Sequence, residues 1–232
     1  MSPAPGLLAA GADLTVTRLI SAYRNGIFPW FSTGQPILWW SPNPRMILKT
    51  SNFKLHRSLR KTLKCFIASA QCEIRFNSAF ERVIRTCATQ ERAGQTGTWI
   101  VPDMVDAYLA LHRAGFAHSI ETWVNDRMVG GLYVVAIGKS VFGESMFCDV
   151  DDASKIALSA LVAFCRKNLI NSIDCQQNTA HLASLGAYEI PRDAFIRDVA
   201  ATSELASPDW QFVRTDWASI FQTSDNLHGK TQ

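Results

Sequence analysis

Apolar residues first recur at helical spacing. In "DLTVTRLISAYRNG", residues 13 to 26, Leu19, Ile20 and Tyr23 share one face of a short helix. Asp13 or Thr15 stands where a cap is wanted, and Asn25-Gly26 supplies the stop. The pattern then breaks. "GIFPWFSTGQPILWWSPNPR", residues 26 to 45, carries Pro29, Pro36, Pro42 and Pro44, which exclude a helix interior or a central strand because proline lacks an N–H and fixes its φ. Turns and extended chain are predicted there. Helical spacing returns over 73 to 92 around Phe76, Phe80, Val83, Ile84 and Cys87, and again in "VPDMVDAYLALHRAG", which ends at Gly115.

Beyond Gly115 the period changes to two. "AHSIETWVN" alternates, with Ile120, Thr122 and Val124 on one face and Glu121 and Trp123 on the other. "MVGGLYVVAI" reads as a buried strand and "SVFGESMF" as another, joined by turns at Asn125-Asp126 and Gly138-Lys139 into an antiparallel meander. Asp151 and Asp152 are placed to cap a helix, "ASKIALSALVAFCRKNLI", whose two apolar sides predict deep burial. A strand in "NSIDCQQ" follows, then "LGAYEI" and a helix from Pro191. Three strands, a helix and a strand form a β-β-β-α-β run, and a strand that returns after a crossover helix pairs in parallel. The fold class is α+β, a mixed β-sheet packed with helices. A small Trp/Pro-rich N-terminal domain, 1–45, precedes the domain that holds this sheet, 46–232.

Composition narrows the classes. The 232 residues are 47% hydrophobic and 19% charged with a net charge of +3, which excludes a disordered chain and a polycation. No stretch of apolar residues is long enough to span a bilayer. The N-terminal segment has no Lys or Arg before Arg18, so it lacks a signal peptide's positive start, and a cytoplasmic protein is expected. Six cysteines without a C-x-x-C pair argue for free thiols and no metal site.

Candidate chemistry gathers at a few motifs. In "IDCQ", alternation puts Asp174 and Gln176 on one strand face, and a carboxylate on an inner strand needs a partner or a task. In "FGESMF", Glu144 and Met146 fall on one face and Gly143 and Ser145 on the other; Phe147 stands where a nucleophile elbow needs its last glycine, which argues against a Ser145 hydrolase. His118 and His181 are possible bases or structural residues. The run "KTSNFKLHRSLRKTLK", residues 49 to 64, has six Lys/Arg and no acid. It is either a solvated face or a surface for a polyanion. Beside it the Trp/Pro segment is either a second core or a stacking platform for bases, and the pairing favours single-stranded nucleic acid.

Taken together, the Trp/Pro segment, "GTWI", "GFAHSIETW", "GGLYVVAIGKSVFGESMF", "DASKIAL", "IDCQ" and "HLASLGAYEIPR" resemble, in this order from about residue 7 to 195, the leucyl/phenylalanyl-tRNA–protein transferases. The chain differs in having Gly11-Ala12-Asp13-Leu14 for the usual Gly-Gly-Asp-Leu and Cys148-Asp149 for Ser-Arg. The resemblance implies a GNAT-like catalytic domain that takes Leu or Phe from aminoacyl-tRNA and adds it to proteins with N-terminal Arg or Lys, marking them for degradation. It implies no metal, no nucleotide cofactor and no membrane partner. It further implies that Trp30 and Trp99 hold the terminal adenosine, and that Leu132, Val141, Met146, Leu158, Leu161 and Ile173 line the side-chain pocket. Lys54, Arg57, Arg60, Lys61 and Lys64 are the expected tRNA-binding residues.

For the chemistry, Asp174 is expected to orient Gln176 and offset charge at the attacking amine, with Asp174 or water taking its proton. Gln176 would hydrogen-bond the nucleophile or intermediate, and Glu144 would fix the aminoacyl amine or a neighbouring side chain. Two rivals stand beside this reading. One is an acyl-CoA-dependent N-acyltransferase, disfavoured by the acidic, glycine-free turn "CDVDDASK". The other is a non-catalytic RNA-binding module, which leaves Asp174 and Gln176 without a task.

Overall fold

Short extended pieces open the chain in this computed structural model, which describes residues 5–90 and 100–221. Strand β1 (Leu7–Ala10), helix α1 (Val16–Arg24), and strands β2 (Phe28–Pro29) and β3 (Leu38–Trp40) come first, and the strands form a small sheet in the order β1-β3-β2. The Trp/Pro segment is mostly turn and extended chain, as its prolines require. It divides its aromatic residues: Phe28, Phe31 and Trp39 are buried, while Trp30 and Trp40 are partly exposed and pack ring on ring at 5.6 Å. Both indoles of the Trp39-Trp40 pair find acceptors, Gly11 O at 2.9 Å and Trp30 O at 2.7 Å.

The main sheet begins at β4 (Arg45–Lys49), a strand that the hydrophobic pattern did not predict. It continues with α2 (Arg57–Ala68), β5 (Cys72–Phe76), α3 (Phe80–Thr89), α4 (Pro102–Arg113), β6 (Ala117–Val124), β7 (Arg127–Ile137), β8 (Ser140–Cys148), α5 (Ala153–Lys167), β9 (Ser172–Gln176), α6 (Ala180–Ser184), β10 (Tyr188–Ile190), α7 (Arg192–Thr202) and α8 (Ala218–Phe221). Its order is β10-β4-β9-β8-β7-β6-β5, antiparallel throughout except where β9 returns from α5 to lie parallel to β8. The predicted meander, crossover helix and parallel return are all present. The α+β class, a large mixed sheet packed with helices, is therefore the observed one.

Helix spacing misled in one place. Residues 73 to 76 are strand, not helix: Cys72 to Phe76 pair residue by residue with Val124 to Ile120. Phe76 and Phe80 match a helical repeat by accident, because the strand ends at Asn77 with φ 59° and the helix starts at Phe80. Glu121 of β6 fixes that start. Wholly buried, it accepts from Ala79 N at 2.8 Å, Ser119 Oγ at 2.7 Å and Trp123 Nε1 at 3.1 Å, and also from Ser78 Oγ. The helix start thus sets its unpaired N–H toward a carboxylate of the sheet.

Two apolar clusters lie on the two sides of the sheet. One holds α1, α3 and α4 residues such as Leu19, Tyr23, Ile84 and Tyr108; the other holds α2 and α5 residues such as Leu63, Leu158 and Leu161. Helix α5 is buried from Ala153 to Cys165 except at Lys155, in keeping with its two apolar sides. It approaches β7 closely: a Cβ on Gly130 would fall 2.5 Å from Ala153 Cβ, so only glycine fits there. The expected helix cap differs. Asp152 has φ 65° and makes no cap hydrogen bond; its carboxylate instead pairs with Lys155 Nζ at 2.7 Å and accepts from Thr62 Oγ1 at 3.3 Å. Among the described residues, no helix is long and apolar enough to cross a membrane.

Candidate active site

Strands β8 and β9 run parallel only briefly. Val141 faces Ile173 and Phe142 faces Asp174, and pairing then stops although β8 continues to Cys148. Each strand carries an irregularity at that point. In β8, Ser145 opposes Tyr133 and Gly143 opposes Val134, which leaves Glu144 as the extra residue of a bulge. In β9, Gln176 opposes Met46 and Asp174 opposes Ile47, which leaves Cys175 extra. Bulges bend strands and re-aim side chains. Here they accompany a gap between two neighbouring strands, and the gap holds a cavity of about 410 Å³.

One wall of that cavity is apolar: Leu132, Met146, Leu158, Leu161 and Ile173, from β7, β8, α5 and β9. Trp30 and Phe28 stand at it from the N-terminal segment, and Glu144, Asp174 and Gln176 supply polar groups. Trp30, the five apolar residues, Glu144, Asp174 and Gln176, all expected at the site, therefore meet in one place. Val141 does not line the cavity; it is 3% exposed and packed within the α5-side cluster beneath it. Trp99 lies outside the described residues. Lys54, Arg57, Lys61 and Lys64 are exposed, on or just before α2, whereas Arg60 is partly covered with its guanidinium 5.8 Å from the Phe221 ring centroid.

The bulges change how these side chains meet. Glu144 does not share a face with Met146. Met146 packs with the α5-side cluster, while the Glu144 carboxylate accepts from Tyr23 Oη at 2.7 Å and Tyr108 Oη at 3.1 Å, residues of the opposite cluster. The two hydroxyls also bond each other. Gln176 has φ 60°, a left-handed backbone that carries its side chain out of the strand pattern, so that Nε2 donates to Glu144 Oε1 at 3.1 Å. Asp174 meets Gln176 through the main chain: its Oδ1 accepts from Gln176 N at 2.9 Å.

Arg45 was overlooked in the sequence. It is wholly buried and donates from Nε and Nη2 to the two Asp174 carboxylate oxygens at 2.8 and 2.6 Å, and from Nη1 to Gly26 O at 3.1 Å. Its guanidinium also lies against the Phe28 and Phe195 rings at 4.8 and 4.6 Å. Asp174 thus accepts from a two-pronged partner and from a main-chain N–H. The only sequence signal for Arg45 was its place at the end of the Trp/Pro segment.

Electrostatics single out Glu144. Burial pushes its carboxyl up to about 7, and nearby Asp174 adds to the rise, against the lowering by hydrogen bonds from Tyr23, Tyr108 and Gln176. Burial likewise holds the Tyr23 and Tyr108 hydroxyls well above the usual tyrosine value. His118 is excluded as a base: burial lowers it to about 3, and its ring stacks on Trp210 at 4.0 Å, outside the cavity lining. His181 does line the cavity, with its pKa lowered by burial and then by Lys155. Ser145 sits within strand β8 rather than on a strand-to-helix turn, so it has no elbow geometry.

An open-sided apolar cavity between parted strands, edged by a buried carboxyl–amide pair and an indole, is thus set into an α+β fold built on one large mixed sheet. Residues 47–200 match the sequence model of the leucyl/phenylalanyl-tRNA protein transferases, and residues 12–43 match that of their N-terminal domain. Identity to the leucyl/phenylalanyl-tRNA–protein transferase of Polaromonas sp. is 65% over 218 residues, covering 94% of this chain and 86% of the relative. For that of Albidiferax ferrireducens it is 60% over 219 residues, covering 94% and 86%. Among solved structures, FemX is similar at a TM-score of 0.47 and 11% identity, covering 75% of this chain and 66% of its own. The chain belongs to the leucyl/phenylalanyl-tRNA–protein transferase family, whose members are aminoacyltransferases.

Proposed function

We propose that this protein joins the Leu or Phe of an aminoacyl-tRNA to the N-terminal Arg or Lys of an acceptor protein, and so marks that protein for degradation. The observation that carries this reading is the cavity of about 410 Å³ with apolar walls and a polar edge. Its walls suit a large apolar side chain, whose full burial is worth roughly 2 to 3 kcal/mol. Trp30, partly exposed at the cavity and backed by Trp40, suits stacking on the terminal adenine. Trp99 is proposed for the same task on the family resemblance alone. The exposed basic residues of α2 suit the tRNA phosphates.

The ester to the ribose is already activated, so the protein's work is to align two substrates and manage protons. The acceptor nitrogen bonds to the ester carbonyl carbon, and the ribose oxygen leaves. Gln176 is suited to hydrogen-bond the amine or the oxyanion at the cavity edge. Asp174 acts through Gln176: it fixes the residue's main-chain N–H in the left-handed backbone that turns the amide toward Glu144. Such an enzyme works where aminoacyl-tRNA is made, in the cytoplasm. An acyl-CoA donor is disfavoured, because the turn before α5 holds Asp149, Asp151 and Asp152 where a pyrophosphate would need cations. The test is to mix the protein with radiolabelled Leu-tRNA and an Arg-initiated protein, and in parallel with labelled acetyl-CoA. Label transferred only from tRNA supports the reading; label only from acetyl-CoA, or from neither, removes it.

A further inference from the structure

We propose that Tyr23 and Tyr108 are positioning residues of the transfer reaction: they hold Glu144 and the proton that it exchanges with the incoming amine. The proposal rests on the transferase reading above. Neither tyrosine lines the cavity; each is wholly buried behind Glu144, one on α1 and one on α4.

Proton counting makes the case. Tyr23 Oη, Tyr108 Oη and the Glu144 carboxyl touch pairwise, which gives three oxygen–oxygen hydrogen bonds to fill. An ionised carboxylate leaves two hydroxyl protons for those three bonds, and one pair of oxygens is then bare. A protonated carboxyl closes the ring with one proton per bond, while Gln176 Nε2 donates to Oε1 from the cavity side at 3.1 Å. Both phenols are held well above the ordinary tyrosine value, so the proton that leaves near neutral pH is the carboxyl's. Burial that pushes Glu144 up to about 7 agrees with this count.

Three further ionisable groups lie near the cluster or in the cavity. Tyr133 of β7 meets Tyr108 ring edge to face at 5.6 Å. Asp174 of β9 is taken up by Arg45 of β4. His181 of α6 lies in the cavity, with its pKa lowered from the usual histidine value.

The step balances. The acceptor nitrogen forms its bond to the ester carbonyl carbon and gives one proton to the Glu144 carboxylate. The carbon–oxygen bond to the ribose breaks, and the ribose oxygen takes one proton from Glu144. The cluster ends with the number of protons it had at the start, and Gln176, which touches Glu144 on the cavity side, keeps the two ends aligned.

The experiment is the pH profile of single-turnover Phe transfer from Phe-tRNA to an Arg-initiated peptide, from about pH 5.5 to about 9, around the ordinary range of an α-amine. The acceptor amine titrates alike in every arm. Wild type should show an acid limb near 7 that disappears in Glu144→Gln. In Tyr23→Phe and Tyr108→Phe the burial stays and one donor to the carboxylate goes, so the limb should move up by roughly half to one pH unit, with much of the rate regained at high pH. His181→Gln should leave the limb where it is.

A uniform loss of rate with the limb unmoved would make the tyrosines structural and overturn the proposal, as would a limb that survives in Glu144→Gln or vanishes with His181. Thermal melts check folding. The ¹³C-carboxyl titration of Glu144, free of tRNA, gives a second reading: an unchanged midpoint in both Phe variants also overturns the proposal. Absence of transfer by wild type would fail the family reading, whereas a working wild type with an immobile limb fails only this inference.

Discussion

Arg45 and Asp174 grip each other through two hydrogen bonds, 2.8 and 2.6 Å long, with side-chain exposures of 0% and 1%. The pair joins β4 to β9, and through Gly26 O it also ties the N-terminal segment to the sheet beside the cavity. A buried ion pair is weak evidence of net stabilisation, but breaking one side of it strands the other charge. Asp174→Asn should therefore lower stability by about 3 to 5 kcal/mol as well as slowing transfer. Replacing both partners, Arg45→Met with Asp174→Leu, should recover much of that stability without recovering transfer. Urea denaturation alongside the transfer assay checks both, and an Asp174→Asn protein with a wild-type midpoint would refute the role assigned to the pair.

Glu144 also links pH to stability. Its pKa rises from 4.5 to about 7 on folding, so the folded state holds this proton more tightly than the unfolded chain does. Its stabilising share is complete below the unfolded value and is lost as pH climbs through about 7. Full ionisation in the folded state costs about 3 kcal/mol at most by the usual conversion. Glu144→Gln should thus gain stability relative to wild type at pH 8, with the gain fading as pH falls to about 4.5. Melting temperatures of both proteins across that window test the sign.

Within the cavity, Leu161→Ala should open space and weaken use of Leu-tRNA more than Phe-tRNA, because the larger ring can fill part of the void. The stability cost for a 1% exposed leucine is about 2 to 5 kcal/mol. Val141 lies beneath the cavity in packed core, so Val141→Asp should unfold the protein rather than alter side-chain selection. Relative rates for Leu, Phe and smaller residues, measured beside melts, separate the two outcomes.

On α2 and just before it, neutralising Lys54, Arg57 and Lys61 should weaken tRNA binding and flatten its salt dependence, by about one unit of slope for each phosphate that no longer meets a cation. Arg60 is left out because its guanidinium already faces Phe221. A salt slope equal to wild type would leave this surface as an ordinary solvated face.

Much of the architecture could be read from local pattern. The meander at 117 to 148, helix α5 and the parallel return of β9 follow from alternation, turn residues and crossover handedness, all of which act over a few neighbours. The Trp/Pro segment could be read as irregular for the same reason, since proline acts on its own backbone. Strand β5 could not be separated from α3, because Phe76 continues the spacing of the helix beyond it, and only pairing with β6 decides the state. Strand β4 was hidden because Arg45 and Lys49 bracket only three apolar residues, between the Trp/Pro segment and the basic run.

Sequence motifs brought Trp30, Glu144, Asp174, Gln176 and the apolar wall to notice by type and order. Their geometry was beyond reach, because a two-residue period holds only while the ladder is regular. The extra residues at Glu144 and Cys175 come from register with β7 and β4, which are distant in sequence. Those bulges accompany the parting of β8 from β9 and turn Glu144 toward Tyr23 and Tyr108. Arg45 became visible only once β4 lay beside β9. By itself the sequence determined the meander, the crossover helix and its parallel return, and most of the residue types that the site contains. Tertiary structure decided who pairs with whom, because the energy of a buried charge or hydroxyl is set by the partners that long-range packing brings within about 3 Å.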